Sequence, residues 1–157
     1  MFQSLIAKYI LCVIVCVGLG RASGILSGSG LTDWYQTLNK PSFQPPTWVF
    51  GPAWTILYTL MGIAIARVWH KPSSSLKTSA IRLFIIQLIL NLIWTPVFFA
   101  LQQPLYALII IIIMWVMILL TIRAFKKVDS IAPYLLVPYI LWVSFATILN
   151  ASIVYLN

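Results

Sequence analysis

Charge is scarce in this sequence: 8% of its 157 residues are charged, where an ordinary soluble domain carries about 25%. Carboxylates are scarcer still, Asp33 and Asp129 alone, and the one histidine is His70. All of these fall between apolar stretches, so no paired carboxylates, Ser-His-Asp triad or metal-ligand cluster can be assembled within those stretches. A buried ionisable group at mid-span, the usual requirement of a proton-coupled pump or cation exporter, is lacking as well. The two cysteines, Cys12 and Cys16, lie one helical turn apart in an apolar run. That is neither a redox CxxC nor a zinc spacing, and they read as packing or lipid-facing thiols.

What fills the sequence instead is apolar: 62% hydrophobic residues and a mean hydropathy of +1.01, which makes a bilayer the solvent. About 20 apolar residues cross the roughly 30 Å of hydrocarbon, and such windows lie at 5–25, 48–68, 81–101, 105–124 and 132–156. The chain is therefore expected to be an all-α integral membrane protein, one five-helix domain over residues 1–157. Lys8, the run Ile10 to Leu19 and the small residues after it imitate a signal peptide; the run extends back to Leu5 and is long enough to span. Pro46, Pro104 and Pro133 stand at span starts, where a missing N–H is harmless. Gln102 and Gln103 leave room only for a tight turn between antiparallel neighbours. The connection 26–47 carries Trp34, Tyr35, Phe43 and Pro45-Pro46, too many large side chains for a solvated linker, and a structured lid over one mouth of the bundle is expected. No repeat or low-complexity segment is present.

The net charge of +8 does not point to nucleic acid, because the basic residues are scattered between spans and form no continuous face or arm. Lys8, Arg67, Lys71, Lys77, Arg82, Arg123, Lys126 and Lys127 fall on the side of the N-terminus, with Arg21 and Lys40 opposite. By the positive-inside rule the N-terminus is cytoplasmic and the lid and C-terminus are outside. A bacterial inner membrane is the expected location.

Within the spans, aromatic and amide side chains recur with helical spacing. Gln87, Asn91, Trp94 and Phe98 share a face of the third, Trp54, Tyr58 and Met61 a face of the second, and Trp142, Ala146 and Asn150 a face of the fifth. Pro52, Pro96 and Pro138 are expected to bend these same spans and leave room between them. Trp48, Trp69, Tyr134 and Tyr155, near span ends, read as an interfacial belt. For Trp54, Asn91, Trp94 and Trp142 two readings stand side by side: a ligand pocket, or amide glue and aromatic packing. A flat, conjugated, apolar ligand with polar edges would suit such walls. An axial metal ligand from within the spans would have to be Cys, Met or Tyr, so a metal-free or non-coordinated ligand is expected, with no tightly bound cofactor and no protein metal site.

The stretch Trp34-Tyr35, Asn39-Lys40-Pro41, Pro45-Pro46-x-Trp48-Val49-Phe50-x-Pro52-x-Trp54-Thr55-x-Leu57-Tyr58 resembles the signature of the TspO/translocator (tryptophan-rich sensory protein) family. Asn91-x-x-Trp94-Thr95-Pro96-Val97-Phe98-Phe99 is similar to its third-helix motif, and Pro138-Tyr139-x-x-Trp142-x-x-Phe145-Ala146-Thr147-x-Leu149-Asn150 to its fifth. The resemblance covers nearly the whole chain in order. It implies a five-helix bundle, usually a homodimer, whose pocket is closed by the first loop and takes porphyrins such as protoporphyrin IX. Trp54 and Trp142 match tryptophans implicated in porphyrin binding and in light-dependent porphyrin breakdown; Asn91, Trp94 and Ala146 match pocket positions, and Trp34 and Tyr35 the lid. One departure is plain. The animal members' cholesterol motif has a tyrosine after the Leu-Asn pair and a basic residue beyond, whereas Ala151 follows Asn150 here and no Lys or Arg comes later. Sterol recognition through that motif is not expected. Ala80 and Phe84 have a spacing that suits either a dimer seam or internal packing.

The expected ligand-binding set is thus Trp34, Tyr35, Trp54, Tyr58, Gln87, Asn91, Trp94, Phe98, Trp142 and Ala146. The expected function is porphyrin binding by a sensor, sequestering protein or carrier. Alternatives are a light- and oxygen-dependent porphyrin-degrading enzyme using Trp54 and Trp142, and a structural membrane protein whose aromatics only pack.

Overall fold

The computed structural model describes residues 2–28 and 33–157, and no strand occurs among them. In chain order the elements are α1 (Phe2–Leu26), α2 (Asp33–Thr37), a 3-10 turn (Thr47–Val49), α3 (Phe50–His70), α4 (Ser75–Phe99), α5 (Pro104–Lys126), α6 (Ala132–Leu135) and α7 (Val137–Leu156). Among the described residues five segments are long and apolar enough to cross a membrane: Leu5–Leu26, Thr47–His70, Ser75–Phe99, Pro104–Lys126 and Ala132–Leu156. Their outer surface is apolar too, with Ile14, Ile56, Ile89, Ile113 and Leu141 exposed. A bundle in water would turn those faces inward.

Local chemistry explains where the elements depart from expectation. Helix α4 starts at Ser75, ahead of 81, because the Ser74 hydroxyl accepts the Lys77 N–H at 3.1 Å and caps the first turn. The fifth span is two helices meeting at Leu136 (φ −90°, ψ −7°), with Pro138 in the first turn of α7. Pro52 likewise sits in the first turn of α3, so neither proline interrupts a helix; Pro96 alone lies in a helix interior. The α4–α5 turn is as tight as expected, and it puts Gln102 in the left-handed region at φ 55°. Of the expected lid 26–47, residues 29–32 lie outside the described residues. The rest forms the end of α1, α2, an irregular stretch with a turn at Ser42-Phe43, and the 3-10 turn.

Helix α1 packs chiefly on α3, α4 on α5, and α5 on α7, with α6 wedged against α3 and α5. The α1–α3 contact depends on Gly62: a Cβ there would lie 2.6 Å from the Val13 Cα, so the backbones touch. Pro96 cannot donate to the Leu92 carbonyl, and the Ser23 hydroxyl of α1 donates to that carbonyl at 2.8 Å instead. Ala80 and Phe84 are both buried, Phe84 stacking on Phe125 at 5.9 Å, so their spacing serves internal packing. Cys12 and Cys16 are free, Cys16 buried in the core. Trp48, Trp69, Tyr134 and Tyr155 are exposed near span ends, as an interfacial belt requires.

The end of the bundle holding the α3–α4 and α5–α6 connections is tied by Asp129. Its carboxylate accepts from Arg67 at 2.9 and 3.2 Å and from the Ile131 and Ala132 N–H groups at 2.9 and 2.7 Å. The Lys71 ammonium lies 3.0 Å from the same carboxylate. Burial works against its charge, but these donors prevail and hold the carboxyl well below the usual range.

Candidate functional site

At the opposite end the helices part around a cavity of about 380 Å³, within the roughly 300–1,000 Å³ typical of small-molecule sites. Aromatic rings from several elements wall it: Phe50, Trp54 and Tyr58 of α3, Trp94, Phe98 and Phe99 of α4, and Trp142 of α7. Ala146, Leu149 and Ile153 complete the α7 side. Helix α1 contributes Val17, Gly20, Arg21, Gly24 and Ile25. Gly20 makes room for the Tyr58 ring, since a Cβ there would lie 2.1 Å from a ring carbon.

The rings hold one another in place. Trp94 stacks on Phe98 at 5.4 Å, Trp54 leans on Tyr58 at 5.6 Å, and Phe50 meets Trp142 edge-on at 6.0 Å. Several polar atoms of the wall are already used within the protein. The Trp94 Nε1 donates to Asn150 Oδ1 at 3.2 Å, Asn150 Nδ2 donates to the Pro104 carbonyl at 2.9 Å, and Thr55 Oγ1 donates to the Gly51 carbonyl at 2.9 Å. Among the described residues the indole N–H of Trp142 is buried without a partner, and such donors ordinarily find one.

The lid closes one side. Tyr35 is buried and meets Phe98 and Phe99 edge-on at 6.1 and 5.4 Å. The Lys40 ammonium sits 5.1 Å from the Tyr35 ring centroid and donates to the Gln36 and Leu38 carbonyls at 3.1 and 3.2 Å. Burial pushes the Tyr35 phenol up, so it stays protonated at neutral pH. A strap fastens lid to bundle: the Asn39 N–H donates to Asn157 Oδ1 at 2.9 Å, and Asn157 Nδ2 donates back to the Asn39 carbonyl at 3.0 Å.

Of the ten residues expected to bind ligand, Tyr35, Trp54, Tyr58, Trp94, Phe98, Trp142 and Ala146 line the cavity. Trp34 does not; it packs edge-on behind the wall against Phe98 at 6.0 Å. Gln87 and Asn91 lie deeper, in a buried chain of hydrogen bonds. Tyr58 OH donates to Asn91 Oδ1, Asn91 Nδ2 donates to Tyr139 OH at 2.8 Å, and Tyr139 OH donates to Gln87 Oε1 at 2.8 Å. The shared face of α4 is real, but its first half meets tyrosine hydroxyls that bond Asn91 and the Gln87 Oε1, and only its second half opens on the cavity. Gly20, Arg21, Gly24 and Phe50 belong to the wall without having been singled out. The signal was present for α1, whose second half is rich in small residues, Gly18, Gly20, Ala22, Ser23 and Gly24, as close helix contacts in membranes require.

No group of three or more His, Cys, Asp or Glu side chains able to hold a metal occurs among the described residues. The lining contains no His, Cys or Met, so it offers none of the side chains other than tyrosine that ligate haem iron.

Comparison with known proteins agrees with the resemblance read from the motifs. The sequence model of the TspO/MBR family matches residues 11–156. The chain is 44% identical over 151 residues to the "Tryptophan-rich protein TspO" of Chlorobaculum tepidum, covering 94% of each chain. It is 42% identical over 125 residues to the "Tryptophan-rich sensory protein" of Cereibacter sphaeroides, covering 80% of this chain and 77% of that one. To the human "Translocator protein" it is 37% identical over 136 residues, covering 85% of this chain and 80% of that one. With five apolar helices and a family match over most of its length, this chain belongs to the TspO/MBR family of integral membrane proteins.

Proposed function

We propose that this protein binds a flat tetrapyrrole such as protoporphyrin IX in the aromatic cavity and acts as a sensor, sequestering protein or carrier in porphyrin metabolism and stress response. The observation that carries the reading is the wall itself. Trp54, Trp94 and Trp142 from different helices surround one volume, and large π-faces there bury the faces of a conjugated ring. The Trp142 N–H, without a partner among the described residues, offers a donor to a polar edge. With no His, Cys or Met in the lining, the reading favours a metal-free macrocycle. The names of the relatives, sensory protein and translocator, are compatible with such a role. The basic residues clustered at the Asp129 end support a cytoplasmic N-terminus in a bacterial inner membrane.

The test is a titration of the detergent-solubilised protein with protoporphyrin IX in the dark, followed by tryptophan quenching. Saturation near one porphyrin per chain is expected, with weaker binding by Trp142→Phe; quenching that never saturates would leave only aromatic packing. A second reading, oxygen-dependent porphyrin breakdown under light, is favoured by the contact of Trp54 with Tyr58 at 5.6 Å, which pairs two oxidisable rings in the wall. Repeating the titration under illumination separates them, because only the enzyme reading expects loss of porphyrin absorbance that Trp142→Phe abolishes while binding persists.

A further inference from the structure

Among the described residues Arg21 is the one charged side chain in the cavity wall. It is exposed, so it stands where the cavity meets the outside. The sequence has only two side-chain carboxylates, Asp33 and Asp129. Asp129 is engaged at the far end of the bundle by Arg67 and Lys71, and Asp33 forms no ion pair among the described residues. No hydrogen bond to a protein acceptor occupies the Arg21 guanidinium among the described residues either. Elsewhere in the wall Thr55, Trp94 and Asn150 spend donors inside the protein, and the Trp142 N–H is a neutral donor, so a charged partner for an anion comes from Arg21.

We infer that Arg21 selects ligands bearing a carboxylate, holding the acidic edge of the bound molecule at the mouth of the cavity while its apolar body lies among the rings. This rests on the proposed tetrapyrrole reading and narrows it to acidic, amphipathic macrocycles. A guanidinium suits the task because it stays charged when partly desolvated and grips a carboxylate through two parallel N–H bonds. Apolar surroundings strengthen that attraction relative to water. An arginine that only anchored α1 at the membrane interface would snorkel to water and leave ligand charge without consequence.

The test compares protoporphyrin IX with its dimethyl ester, which keeps the ring and removes both negative charges. The quantity read is the ratio of the ester Kd to the acid Kd, by tryptophan quenching in neutral detergent. In the wild type the acid is expected to bind about tenfold more tightly or better, with the preference shrinking as salt is raised. Arg21→Gln brings the ratio toward one, Arg21→Lys retains part of it, and Lys126→Gln, which removes an exposed cation at the Asp129 end, leaves it at the wild-type value. A wild-type ratio near one, a ratio that survives Arg21→Gln, or one that Lys126→Gln abolishes equally would overturn the role of Arg21 while saturable binding kept the cavity reading intact. Saturation by neither compound would overturn both. If Arg21→Gln fails to fold, the wild-type ratio and its salt dependence decide alone.

Discussion

Tyr139 is fully buried, and its hydroxyl serves two amides: it accepts from Asn91 and donates to Gln87. Tyr58, at the head of the same chain, serves only Asn91. Leaving a buried donor or acceptor unpaired costs about 1–3 kcal/mol. Tyr139→Phe strands a group on each of two residues, whereas Tyr58→Phe strands one. Thermal unfolding in detergent should therefore show a larger loss for Tyr139→Phe than for Tyr58→Phe, and equal losses would mean that ring packing rather than the hydroxyls stabilises this region. Ligand affinity should order the other way, because Tyr58 lines the cavity and Tyr139 does not. None of this follows from helical spacing alone. Gln87, Asn91, Trp94 and Phe98 do share a face, yet periodicity gives direction around the axis and says nothing of which neighbours stand opposite. The tyrosines that take up the amides come from α3 and α7, so the boundary between core and cavity was invisible until the helices were packed.

Helix α1 is held against the bundle at two identifiable points. It touches α3 through Gly62 and reaches α4 through the Ser23 hydroxyl on the Leu92 carbonyl at 2.8 Å. Gly62→Ala must push the backbones apart, since the added carbon would lie 2.6 Å from the Val13 Cα. Ser23→Ala removes one bond to a carbonyl that Pro96 leaves open, a loss of about 1 kcal/mol. The expected order in thermal unfolding is Gly62→Ala more damaging than Ser23→Ala, and both should weaken porphyrin binding because α1 carries one side of the cavity. A Ser23→Ala protein of unchanged stability and affinity would show that the freed carbonyl needs no partner. At this scale the sequence was most legible where length and hydropathy decide, in the five spans and the tight α4–α5 turn. It was least so at ends set by single hydrogen bonds, such as the Ser74 cap that starts α4 ahead of 81.

Across the whole molecule the two ends have different tasks. The cavity end is apolar with a lone cation in its wall, while the opposite end is tied by Asp129 to Arg67, Lys71 and the start of α6. Because the folded carboxyl titrates below its unfolded value of about 3.9, its stabilisation is fully present above that value and is lost as pH falls through the acid range toward the folded one. The unfolding midpoint of the wild type should drop below about pH 4, whereas Asp129→Asn should be less stable at pH 7 and show a smaller acid-dependent step. Equal pH profiles for the two would place the stabilising charge elsewhere. The buried amides of α4 also bear on how the chain is made. Their common partner, Tyr139, lies 48 residues beyond Asn91 and 52 beyond Gln87. At roughly 5–20 residues per second of synthesis, α4 waits about 2–10 s for it. During that interval a nascent bundle carries an asparagine and a glutamine lacking their final partner, and its aromatic wall lacks the α7 side. A ribosome stalled before α7 would leave a membrane-inserted chain that is chemically recognisable as unfinished, which gives a quality-control protease a physical criterion for removing it.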